Sequence, residues 1–111
     1  MKVIIYALIE VEADKRAGLL SLLQSYLPKV HAQTGCIRYD WAADSKISTQ
    51  VNVYEEWESE AALDAHFAGK NFAAIGKAIA EFGVLGASAR KFRVEAEAGV
   101  FNADGAASTV F

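Results

Sequence analysis

His66 is the side chain in this sequence best suited to moving a proton near neutral pH. It follows Ala62 and Leu63 by four and three residues, which puts all three on one side of a helix, with Phe67 alongside. Turned inward, a neutral imidazole could accept the proton of a phenol or an enol. Placed instead in the last turn before Gly69, it would pair with the helix dipole, which favours imidazolium and makes a poorer base. Trp57 offers a flat wall for an aromatic substrate or a filler for the core under that helix. Tyr39 and Asn52 are neutral hydrogen-bonding groups that could hold an oxyanion or a carbonyl, or satisfy backbone groups at strand ends. Arg38 alternates with Tyr39 and so points to the other face of its strand.

Other chemistries find little support. His31 and His66 are far apart in sequence, with no HxH or HExxH spacing and no cysteine partner, so no metal site is expected. Cys36 is the only cysteine, which rules out an intrachain disulfide; beside Ile37 at a strand start it reads as a small apolar residue. His31, near the end of the first helix, reads as solvated or paired with the helix dipole. There is no glycine-rich phosphate loop, dinucleotide fingerprint or Ser-His-Asp pattern.

The elements that must position these residues follow from periodicity. Val3 to Ile9 is β-branched, aromatic and continuous, a strand buried on both faces. Asp14 can cap a helix presenting Leu19, Leu23, Tyr26 or Leu27, and Val30 on one side, kinked or distorted at Pro28 and stopped at Gly35. Cys36 to Ala43 and Ser48 to Trp57 read as a hairpin around Asp44-Ser45-Lys46. Ser59 caps a short helix ending near Gly69, and Asn71 a second through about Phe82, with Phe72, Ile75, Ile79 and Phe82 on one stripe. Ala87 to Ala96 is a last strand. The order β-α-β-β-α-β, with its second crossover split in two, is an α+β, ferredoxin-like arrangement: an antiparallel sheet with helices on one face.

One domain, residues 1–96, is expected, followed by an alanine- and glycine-rich tail over 97–111. Val100, Phe101, Val110 and Phe111 make that tail too apolar for pure solvation. The 111 residues suffice for a single core. A net charge of −3 leaves no basic footprint for nucleic acid; Arg90, Lys91 and Arg93 merely alternate along a strand. The apolar run at Val3 to Ile9 is too short to span a bilayer, so no membrane association is expected and cytoplasm is the default location. Both faces of the first strand are apolar, while helices cover only one face of the sheet. A second copy of the chain is the simplest cover, so a homodimer is expected.

Gly35-Cys36 with Tyr39, then Glu55-Glu56-Trp57-Glu58-Ser59, then Ala62-Leu63 with His66 follow the order Gly-Cys-x-x-Tyr, Glu-x-Trp-x-Ser, Ala-Leu-x-x-His. Over about residues 2–96 this resembles the antibiotic biosynthesis monooxygenase family. The resemblance implies a dimeric α+β barrel of two sheets packed face to face. It also implies oxidation of a small quinol- or phenol-type ligand by dioxygen without a bound cofactor, in a pocket near His66, Trp57, Tyr39 and Asn52. Haem-degrading relatives share the tryptophan, but they carry an asparagine and a histidine where this chain has Ala7 and about Ile75. Relatives acting on phosphorylated sugar-like signals would want a cationic patch. A dimeric module that binds a small aromatic without turnover is the non-enzymatic alternative.

Overall fold

The computed structural model describes residues 1–111. Strand β1 (Val3–Glu10) is followed by helices α1 (Ala13–Gln24) and α2 (Leu27–His31) and the hairpin β2 (Cys36–Ala43) and β3 (Gln50–Trp57). Helices α3 (Glu60–Phe67) and α4 (Lys70–Glu81) and strand β4 (Gly86–Arg93) complete the sequence of elements. The four strands form one antiparallel sheet in the order β2-β3-β1-β4. This is the ferredoxin-like α+β fold expected. The sheet is open, so a closed barrel would need a second chain.

Alternation along β1 sends Val3, Ile5, Ala7 and Ile9 to the helix side, where they join Val51, Val53 and Trp57 of β3 and Leu19, Leu23 and Val30 of the first helical pair. The opposite face carries Tyr6 against Tyr54 and Ile4 against Phe92. Tyr6, Tyr54 and Phe92 are 44%, 36% and 41% exposed, a row of aromatic rings with no cover from this chain.

Three local expectations change. The first helix is two helices: α1 ends at Gln24, and Pro28 sits in the first turn of α2, where its missing N–H costs nothing. Asp14 lies inside the first turn of α1, with Glu12 at the cap position, and stabilises the helix through its charge rather than as a cap. Helix α4 starts at Lys70 after Gly69, so Asn71 is not its cap and its side chain turns to Gln33 instead. Ser59 does cap α3, its hydroxyl accepting from Ala62 N–H at 3.1 Å.

Gly35 explains why the separate motif segments meet. Its φ of +82° suits only glycine, and a Cβ there would stand 2.4 Å from the Ala62 Cβ and 3.0 Å from the Glu58 Cγ. Its carbonyl accepts from Glu58 N–H at 2.8 Å. The close approach seats α3 against the ends of β2 and β3.

After β4, Val94 N–H still bonds to the Lys2 carbonyl, and Lys2 pairs with Glu97. Beyond that the chain forms a small hairpin: Asn102 N–H to Ala106 O, Ser108 N–H to Val100 O, and a bridge between Phe101 and Ala107. Val100, Phe101, Val110 and Phe111 are all exposed. This arm helps stretch the molecule to 47 × 33 × 22 Å with a radius of gyration of 15.8 Å, against about 13 Å for a compact chain of this length. No helix is long and apolar enough to cross a membrane.

Candidate functional site

Between the helix side of the sheet and α3–α4 lies an apolar cavity of about 310 Å³. Ile5, Ala7 and Ile9 of β1 form its floor, and Phe67, Phe72, Ile75 and Ile79 form its roof. Tyr39 and Trp41 of β2 and Glu55 of β3 bring the wall's hydrogen-bonding side chains. Strand alternation puts them there: Tyr39 pairs with Glu55, and Trp41 with Val53, all facing the helices.

Glu55 is only 8% exposed, and its Oε1 accepts from the Trp57 indole N–H at 3.0 Å. Burial pushes its carboxyl above the usual value, with the Trp57 hydrogen bond pulling the other way. Burial, then the charge of Glu55, pushes the Tyr39 phenol far up, so Tyr39 is a neutral donor at any physiological pH. The Trp41 indole N–H leans toward the Tyr39 hydroxyl, whose acidity it favours, but falls short of hydrogen-bond geometry; it is a buried donor with no partner.

His66 is buried, one layer behind this wall. Its ring stacks on Trp57 at 4.6 Å and 29°, and meets Tyr39 and Phe72 edge-on at 5.7 and 5.5 Å. Its Nδ1 lies 3.1 Å from Gln33 Oε1, which also accepts from Asn71 Nδ2. With Gln33 as the acceptor, the proton sits on Nδ1 and the lone pair on Nε2. Burial lowers the imidazole pKa below its usual 6.5, so the ring is neutral at pH 7. Burial thus favours the neutral ring over the dipole-paired imidazolium that its last-turn position would allow.

The structure thus brings Tyr39, Trp57 and His66 together, with Tyr39 on the cavity wall and the other two behind it. Asn52 is elsewhere. It lies on the uncovered face of the sheet, where its Nδ2 donates to Asp44 Oδ1 at 3.0 Å and its Oδ1 accepts from Gln50, bracing the β2–β3 turn. Arg38 occupies that same face, its cross-strand partner being Glu56. His31 Nε2 donates to the Tyr39 carbonyl at 2.7 Å and ties α2 to β2. The thiol of Cys36 is held up by burial and by Glu55, so it stays protonated.

As site residues, Glu55, Trp41, Gln33 and Asn71 are not singled out by the sequence, where Glu55 stands only in the motif and Asn71 only as a helix cap. The shared parity of Glu55 with Trp57, and of Trp41 with Tyr39, was the available signal for the first two. Nothing local pointed to Gln33, which meets His66 only through the packing of α3 against the loop before β2.

A second cleft of about 380 Å³ shares Phe67 with the cavity and contains Lys91 and Arg93 together with Glu60 and Asp64. Arg93 is paired with Glu60, and the two cations are balanced by two carboxylates, so the cleft offers no cationic patch for a phosphorylated ligand. The apolar cavity, with few polar groups converging in it, is the better candidate site.

The model of the antibiotic biosynthesis monooxygenase family matches residues 2–78. A Synechocystis protein, sll1783, is 32% identical over 59 residues, which are 53% of this chain and 40% of that protein. The match therefore spans about two-fifths of the length of that curated relative. Among solved structures, a candidate antibiotic biosynthesis monooxygenase of Deinococcus radiodurans superposes with a TM-score of 0.82 at 18% identity, over 90% of this chain and 99% of that one. Rv0793 of Mycobacterium tuberculosis gives 0.78 at 21% identity, over 89% and 100%. A candidate monooxygenase of Caulobacter crescentus gives 0.77 at 22%, over 85% and 91%. At these identities the structural likenesses speak for the fold.

Proposed function

The chain belongs to the antibiotic biosynthesis monooxygenase family, and from that premise we propose that it oxidises a small phenol- or quinol-type aromatic with dioxygen, without a bound cofactor and as a homodimer. The observation that carries this reading is the apolar cavity whose polar groups are a phenol, an indole N–H and a buried carboxyl. Cofactor-free oxidation asks little more of a protein: orientation, removal of one proton, and exclusion of water from the intermediate.

A phenol bound there loses its hydroxyl proton, and the electron-rich anion passes an electron to dioxygen. Recombination at an unsubstituted ring carbon ortho or para to the oxygen, followed by O–O cleavage, leaves one oxygen atom on the substrate as a quinone carbonyl. The other departs as water, carrying two hydrogens from the substrate. The substrate supplies all four electrons, so no outside reductant enters the balance.

In this reading Tyr39 touches the substrate, and Trp57 and His66 hold Tyr39 and the roof in place. His66 Nε2 is an available acceptor in the neutral ring, but it reaches a substrate only if the Phe67–Phe72 pair packed against it gives way. Asn52 would meet the partner chain rather than a cavity ligand. Ala7 and Ile75, where haem-degrading relatives would need an asparagine and a histidine, line the cavity with apolar groups and offer iron no ligand.

The uncovered aromatic face supports the homodimer. Packed on its own copy it forms a self-complementary contact, expected to bury at least about 1,200 Å². Oxygen uptake with a panel of hydroquinones and polycyclic phenols tests the activity. Uptake above the protein-free rate supports it; tight binding without uptake returns the chain to a non-catalytic binding role.

A further inference from the structure

We propose that Glu55 and Trp41 form the hydroxyl-recognition site of the cavity, Glu55 accepting the proton of a bound phenol or enol and the Trp41 indole N–H donating to the resulting oxyanion. The inference rests on the cavity being the reaction site and names the groups that would touch the reacting oxygen.

Two independent observations carry it. Trp41, 7% exposed, holds the one buried side-chain N–H in the chain without a hydrogen-bond partner, leaning toward the Tyr39 hydroxyl on the wall of the mostly apolar cavity. A buried unpaired donor is destabilising, and an oxygen-bearing ligand would supply the missing acceptor. Glu55 lies on the same wall, cross-strand from Tyr39, with Oε1 held by Trp57 and Oε2 making no hydrogen bond to protein. Tyr39 is cross-strand from Glu55 and two residues from Trp41 on β2, so the three polar side chains share one stretch of the wall. Every other lining side chain there apart from Tyr39 is hydrocarbon or glycine.

The proton step balances simply. The substrate O–H bond breaks, its proton joins Glu55, and the electron pair stays on the oxygen facing Trp41. Glu55 later returns the proton to the oxygen that leaves as water. The raised carboxyl pKa narrows the gap between acceptor and phenol, which is the direction that favours transfer. His66 is left as a positioning residue, its Nδ1 committed to Gln33.

The probe is 4-nitrophenol, whose phenolate has its own absorbance band, bound at a pH below the probe's own pKa. The wild-type protein should show that band on binding. Glu55→Gln, which keeps size and can still accept from Trp57, should reduce the bound-phenolate fraction at least tenfold. Trp41→Phe should lower it severalfold while leaving the ring packing in place. His66→Gln, a positioning change that removes the imidazole, should lower it less than Glu55→Gln does. A band undiminished in Glu55→Gln, a larger loss in His66→Gln than in Glu55→Gln, or a probe that does not bind would each overturn the assignment. Oxygen uptake separates this from the broader reading. Because the nitro group blocks the probe's para carbon, uptake is read with the hydroquinone and polycyclic phenol panel: substrates that bind as phenolates with no uptake from any of them sink the monooxygenase and leave the recognition site standing, whereas full turnover in Glu55→Gln does the reverse.

Discussion

Replacing Trp57 by phenylalanine isolates the contact that ties the core to the candidate site. Trp57 is fully buried, stacks on His66, and donates its indole N–H to Glu55 Oε1 at 3.0 Å. Phenylalanine keeps an aromatic ring against His66 but removes the donor and part of the volume. The missing hydrogen bond leaves a buried carboxylate less satisfied, worth about 1.5–3 kcal/mol when it is charged and about 0.5–1.5 kcal/mol when it is neutral. The volume lost adds about 1 kcal/mol. With the carboxylate charged the expected cost is therefore about 2.5–4 kcal/mol, survivable for a domain of ordinary stability. The cost must shrink in acid, because Glu55 has a raised pKa and is neutral there. Urea unfolding at fixed protein concentration, followed by far-UV circular dichroism at pH 7 and below the Glu55 pKa, measures both values. A second check is the Glu55→Gln background, in which Trp57→Phe should cost about 1–2 kcal/mol less than in the wild type. A pH-independent cost, or strict additivity in that cycle, would show that Glu55 and Trp57 are not energetically coupled and would remove the support for a tuned carboxyl.

Further outcomes follow from the same geometry. The neutral ring of His66 contributes stability that is complete above 6.5 and lost as pH falls through its lowered folded value; an NMR titration should place its midpoint below 6.5, and a midpoint above would mean the ring is not desolvated. Gly35→Ala should destabilise by at least about 2 kcal/mol, from positive φ and the clash with Ala62, and Ala62→Gly should recover only the clash. Light scattering at micromolar concentration should return about twice the 12.0 kDa chain mass, and removal of residues 98–111 should weaken that dimer because the exposed apolar arm is expected to pack on the partner. A monomer of the full chain would refute the covered-face argument.

Local chemistry is what the sequence determined. The ends of β2 are those its composition suggests, because Gly35 must stop what precedes it and Asp44 opens the turn after it. Ser59 caps α3 because its hydroxyl and the Ala62 N–H are brought together by helical geometry alone. The two apolar faces of β1 follow from strict alternation, and with them the open sheet and the need for a cover. Periodicity could not place the break between α1 and α2, since the stripe of Leu19, Leu23 and Val30 runs on through it while Pro28 starts a new helix instead of bending an old one. Depth was beyond it as well. The sequence turns His66 inward, but only the packing of α3 and α4 decides that Phe67 and Phe72 stand at the cavity and His66 behind them, where burial favours the neutral ring. Glu55 reads as an ordinary strand carboxylate until the helices cover it. Its acidity and the unpartnered N–H of Trp41 exist only once separate segments have closed over the same space and removed the water.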